Sequence, residues 1–93
     1  MAYADEQSYE EMISELQNFI SEGDEECTTL DNAGRDCIDN TDGDPAAEKC
    51  SYKLQECTRN IRNAFQSIQG IIQALQQELE HIREAAHRVD SID

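Results

Sequence analysis

Four cysteines, two histidines and an acidic turn are the side chains whose type and spacing could do chemistry in this 93-residue sequence. Cys27, Cys37, Cys50 and Cys57 allow three disulfide pairings. Cys37 and Cys50 are symmetric about position 43.5, and Cys27 and Cys57 about position 42. Both midpoints fall in one candidate turn, so the spacing favours two nested bridges across a hairpin. Four free thiols acting as small apolar residues are the alternative. Zinc is disfavoured, because structural zinc takes cysteines two to four residues apart and the gaps here are nine, twelve and six. A redox-active Cys-X-X-Cys is absent. Calcium fits no better. A calcium loop with Gly43 in sixth place needs carboxylates where Ile38 and Lys49 stand. His81 and His87 have no ligand set beside them, and no nucleophile–base grouping or glycine-rich phosphate loop occurs. The residues therefore imply a non-enzymatic protein with no catalytic site, metal or cofactor.

The elements that place these residues are two helices. Ala47, Leu54, Ile61, Ile68, Leu75, Ile82 and Val89 recur every seven residues. Cys50, Cys57, Ala64, Ile71, Ala85 and Ile92 form a second such line, interrupted by Glu78. These read as the a and d lines of a helix of about 70 Å. Phe65, Ile72 and Leu79 widen the stripe. Upstream, Tyr9, Met12, Ile13, Leu16, Phe19 and Ile20 recur at helical spacing, and Ser8 with Glu11 suggests a capping box. Gly23 and Gly34 read as weak points of that helix, and Gly70 as a place where a neighbouring helix passes close. Between the helices lie Thr41, Asp42, Gly43, Asp44 and Pro45, with Asp44 as N-cap and Pro45 in the first helical position. The expected fold is all-α: helix 1 over about 8–38, a turn over 39–44, and helix 2 over about 45–90, antiparallel in one hairpin domain.

Such a hairpin has little enclosed core, so association into a helical bundle is expected. The residues expected to carry it are Ile61, Phe65, Ile68, Ile72, Leu75, Leu79 and Ile82, facing Leu16, Phe19, Ile20 and a second chain. In this register Tyr9 falls opposite residues 75–78. Residues from about Glu80 onward then lack helix 1 beside them, leaving Ile82, Val89 and Ile92 for another chain to cover.

The formal charge of −14 excludes nucleic acid and anionic membrane as partners. It is lopsided: residues 1–44 carry 14 carboxylates against Arg35 alone, and residues 45–93 carry 7 against 6 bases. No run approaches the roughly 18 apolar residues of a membrane span. Met1 to Ser8 has neither the basic region nor the apolar core of a Sec-type signal. The expectation is a cytoplasmic protein, or one exported by a route that reads something other than an N-terminal signal.

The second half carries a resemblance. Gly43-Asp44-Pro45-Ala46-Ala47-Glu48-Lys49 leads into Leu54, Ile61, Phe65, Ile68, Ile72, Leu75 and Leu79, and this pattern resembles the WXG family of helical-hairpin proteins. The resemblance implies a substrate, or a secretion partner or chaperone, of a type VII (ESX-like) secretion system. Its partners would be a second copy (dimer or higher) or a related helical protein, together with the secretion machinery. Thr41-Asp42-Gly43 stands where the family has Trp-X-Gly, and the family's C-terminal Tyr-X-X-X-Asp/Glu signal is absent, its nearest spacing being Val89 to Asp93. An intracellular helical adaptor or inhibitor is the alternative. A disulfide-stapled coiled-coil-helix protein of the mitochondrial intermembrane space is another, although Cys50 and Cys57 lack its nine-residue spacing.

Overall fold

A computed structural model describes the backbone of residues 2–92 and the side chains of residues 5–88. It contains two α-helices, α1 over Ala2–Asn40 and α2 over Pro45–Ile92, packed against each other as a hairpin. α1 begins about one and a half turns before Ser8, so Ser8 is a helix-interior residue and not a cap. The sequence around it, Gln7 to Glu11, is joined instead by a hydrogen bond from Gln7 Nε2 to Glu11 Oε1 of 3.1 Å.

The turn is built by backbone groups. The Gly43 amide donates to the Ile38 carbonyl at 2.9 Å and the Asp42 amide to that of Asp39 at 3.4 Å. This crossed pair closes α1 as a Schellman motif. It requires a left-handed residue, and Asp42 supplies it at φ 53°, followed by Gly43 at φ 77°. Aspartate tolerates that conformation better than most side chains do. Thr41 Oγ1 donates to the Cys37 carbonyl at 2.7 Å, satisfying another end-of-helix acceptor. α2 then starts at Pro45, and the Asp44 carbonyl accepts the Glu48 amide at 3.0 Å.

Contacts divide the chain into two units. The terminal unit joins the segment up to Phe19 with the segment from Ser67. The turn unit is Ile20–Gln66. In the terminal unit the seam is aliphatic: Ile13, Ile72 and Leu79 are buried, and Leu16, Ile68, Leu75 and Ile82 are half-buried. Arg83 pairs with Glu10 and lies 4.0 Å from Glu6. α1 therefore reaches past Glu80 as far as Arg83, because its first turns extend beyond the expected start. Val89 and Ile92 lie outside the described side chains.

The turn unit has a thinner and more polar seam. Cys27, Ala47, Ser51, Thr58 and Phe65 are its buried residues. Gly23 and Gly34 belong to this seam as close-approach positions. A Cβ at Gly23 would lie 2.4 Å from Phe65 Cζ, and one at Gly34 would lie 2.8 Å from Ser51 Oγ. Gly70, by contrast, has nothing within 4 Å of an added Cβ, so no helix crowds it.

The inward face of α2 is not the a and d face. The a line is inward, but its companion is the line one residue past d: Ser51, Thr58, Phe65, Ile72 and Leu79 are all buried. Cys50, Cys57, Ala64, Ile71 and Glu78 are exposed. Side-chain volume and charge explain the rotation. The chosen line buries Phe65, Ile72 and Leu79, whereas the rejected one would put the Glu78 carboxylate into an apolar seam at a cost of several kcal/mol.

Candidate functional site

That rotation decides the cysteine chemistry. All four cysteines are free thiols, Cys27 buried and Cys37, Cys50 and Cys57 exposed. The nested bridges Cys37–Cys50 and Cys27–Cys57 are thus not formed. Cys50 and Cys57 stand on the outward line, while Ser51 and Thr58 occupy the inward places that bridged cysteines would need. Among the described residues no group of three or more His, Cys, Asp or Glu could hold a metal ion, and His81 and His87 are exposed. Among the described residues no helix is long and apolar enough to cross a membrane.

Most residues expected to meet a partner chain are engaged within the hairpin itself. Phe65, Ile72 and Leu79 are buried, and Leu16, Ile20, Ile68, Leu75 and Ile82 are half-buried. Phe19 and Ile61 remain outside, 56% and 43% exposed. Leu30, Met12, Ile71 and Tyr52 join them at 44%, 51%, 49% and 64% exposed, four large apolar residues absent from the expected set. The heptad reading contained a signal for Ile71, which sits on the d line. Leu30 recurs with Cys27, Ala33 and Cys37 at helical spacing, a pattern that marks it as a seam residue and not as an exposed one.

Exposed apolar and ionic groups occupy opposite sides of the turn unit. On α1, Leu30 and Cys37 lie about 80° from the seam in the rotational sense of earlier residues. On α2, Cys50, Cys57 and Ala64 lie about 80° from the seam in the same sense, with Ile61 nearer to it. In an antiparallel pair, equal rotations of one sense emerge on one side, so these side chains share a face. The other side carries the ionic cluster. Arg62 donates from Nε to Asp24 Oδ1 at 3.0 Å, from one terminal nitrogen to Asp31 Oδ2 at 3.1 Å, and from the other to Thr28 Oγ1 at 3.0 Å. Thr58, 1% exposed, donates from Oγ1 to Asp31 Oδ1 at 2.8 Å. The Arg62 guanidinium is held above its ordinary pKa, first by the hydrogen bond to Asp24, against some desolvation, with Asp31 adding to the effect. Beside this cluster is an open polar recess of about 370 Å³, which Arg35 and Arg59 also line.

In the terminal unit, Tyr9, Met12 and Leu75 line a shallow apolar recess of about 200 Å³. Its shape and the absence of a convergent polar set suit a side chain of a packed neighbour better than a reacting substrate.

Fold and surface together define an all-α two-helix hairpin with exposed apolar residues along its helices. The chain matches no protein-family model, no curated protein and no solved structure.

Proposed function

We propose that the protein works by helix–helix association, as a non-enzymatic hairpin that pairs with a second helical chain. The observation that supports this most directly is the exposure of Leu30 and Ile61 beside Cys37, Cys50 and Cys57 in the turn unit. Contiguous apolar surface on a small protein marks a contact site. Within that reading, the resemblance of Gly43 to Lys49 and the following heptads to the WXG family makes the protein a substrate of a type VII (ESX-like) secretion system, or a secretion partner of a larger substrate. The partner is a second copy or a related helical protein, and the complete assembly is a helical bundle.

A second reading is an intracellular helical adaptor or inhibitor. The turn Thr41-Asp42-Gly43, which lacks the family's tryptophan, favours it. Expression in a host with an active type VII system separates the two. Appearance of the full chain outside intact cells, lost when the secretion ATPase is disabled, supports export. Retention inside, with a partner recovered on the hairpin, supports the adaptor.

A further inference from the structure

We infer that the partner of the turn unit's apolar face is a helix of opposite charge character: an apolar stripe flanked by Lys and Arg, not another copy of this chain. This rests on the association reading and specifies its partner. Three observations carry it.

First, the turn unit turns two of its large aliphatic residues outward. Its seam buries Ala47, Ser51, Thr58, Cys27 and Phe65 and half-buries Ile20, Ile38 and Leu54, whereas Leu30 and Ile61 are 44% and 43% exposed on the face that also holds Cys37, Cys50, Cys57 and Ala64. Second, the α2 part of this face lacks carboxylates. Between Pro45 and Gln66 the acids are Glu48 and Glu56, and at 100° per residue one points toward the ionic side and the other directly away from the seam. Third, the α1 edge of the same face is acidic. Glu22, Glu26 and Leu30 follow each other at one-turn intervals, and both carboxylates are exposed. Arg62 is engaged on the other side with Asp24 and Asp31.

An apolar strip with one acidic border is complemented by an amphipathic helix with one basic border. A second copy brings the wrong charge. Each chain carries −14, and residues 1–44, which make up α1 and its turn, account for −13 of it. Face-to-face pairing of two copies would set like charges along the rim, which selects against that partner.

The test uses the full chain and a labelled synthetic peptide of about twenty residues, long enough to span the α2 face at 1.5 Å per residue. One peptide has a leucine and alanine stripe flanked by lysines. A second has the same composition scrambled, and a third has glutamates in place of the lysines. Binding is read by fluorescence anisotropy near physiological salt, and the mass of the free chain by sedimentation. Three chains are compared: the native one, the double variant L30S/I61S, and Y52S on another side of α2. None of these substitutions changes charge, and circular dichroism confirms that each is helical.

The expected result is binding of the lysine-flanked stripe alone, weakened about tenfold or more in L30S/I61S and unaltered in Y52S. Equal binding of the scrambled peptide, or binding unaffected by L30S/I61S, would reduce the interaction to general charge attraction and overturn the inference. A native dimer that excludes the peptide and dissociates in L30S/I61S would also overturn it, because the face then belongs to a second copy, while association itself would stand. A strictly monomeric chain that binds none of the peptides would remove both the inference and the association reading for this face.

Discussion

The Phe65 ring occupies the space that any side chain at position 23 would need. A Cβ built on Gly23 comes within 2.4 Å of Phe65 Cζ and within 3.2 Å of two further ring carbons. A 7% exposed aromatic therefore packs onto α1 backbone, and the glycine is a socket. Gly23→Ala gains about 1 kcal/mol of helix propensity. It loses about 1–3 kcal/mol to overpacking, because the buried ring has little room to turn aside. A lower denaturation midpoint is expected, with the loss reduced in the double variant G23A/F65L relative to the sum of the single changes. Chemical denaturation of the four chains measures this coupling.

Gly70→Ala is the contrasting case. Its added methyl meets nothing within 4 Å, so only the backbone effect remains. Stability should rise by about 0.5–1 kcal/mol. A fall would show that something approaches Gly70 in solution.

Ser51 Oγ is buried without a hydrogen-bond partner. Ser51→Ala removes an unsatisfied hydroxyl and improves helix propensity, so a gain of about 1 kcal/mol is expected. The same oxygen stands 2.8 Å from a Cβ on Gly34, while Ser51 Cβ and Leu54 Cδ2 stand at 3.4 and 3.6 Å. Gly34→Ala should then destabilise the native chain but be tolerated in the S51A background. A double-mutant cycle with no coupling between the two positions would contradict this geometry.

Thr58→Val keeps the shape of a 1% exposed side chain and deletes the hydrogen bond to Asp31. A cost of about 1–3 kcal/mol follows, since the Asp31 carboxylate loses a donor in a half-buried place. Arg62→Met should also lower the midpoint, with the difference shrinking as salt is raised, because its pair with Asp24 is solvent-accessible. The raised Arg62 pKa contributes stability below the unfolded value, and that contribution is lost only above the still higher folded value. Arg62 should therefore cause no change in stability between about pH 5 and 9.

Thiol titration reads the helix rotation directly. Cys37, Cys50 and Cys57 should react with a thiol reagent in the folded chain, and Cys27 only on unfolding. Because no bridge is present, thermal midpoints with and without reductant should coincide. Bridged cysteines would instead leave no rapid reaction in the native chain and a midpoint lowered by reductant.

What the sequence determined by itself is local. The apolar periods make two helices, Asp44-Pro45 starts the second, and a single turn-rich segment forces them antiparallel. These features depend on neighbours three or four residues away and on backbone preferences, so they survive without knowledge of packing. The inward direction of α2 is different. The a line is flanked by two plausible companions 100° apart, and periodicity alone accepts either. Tertiary packing chose the line of Phe65, Ile72 and Leu79, since that choice fills the aliphatic seam, lets Phe65 enter the gap at Gly23, and leaves Glu78 in water. It thereby turned Cys50 and Cys57 outward and undid a cysteine pairing whose register arithmetic was sound. The start of α1 was likewise obscured, because Ser8 and Glu11 fit a cap whether or not helix precedes them. Leu30 gave no warning of its exposure, because a lone leucine in an acidic helix reads as core until the opposing helix is seen to present Ser51 and Thr58 to the seam.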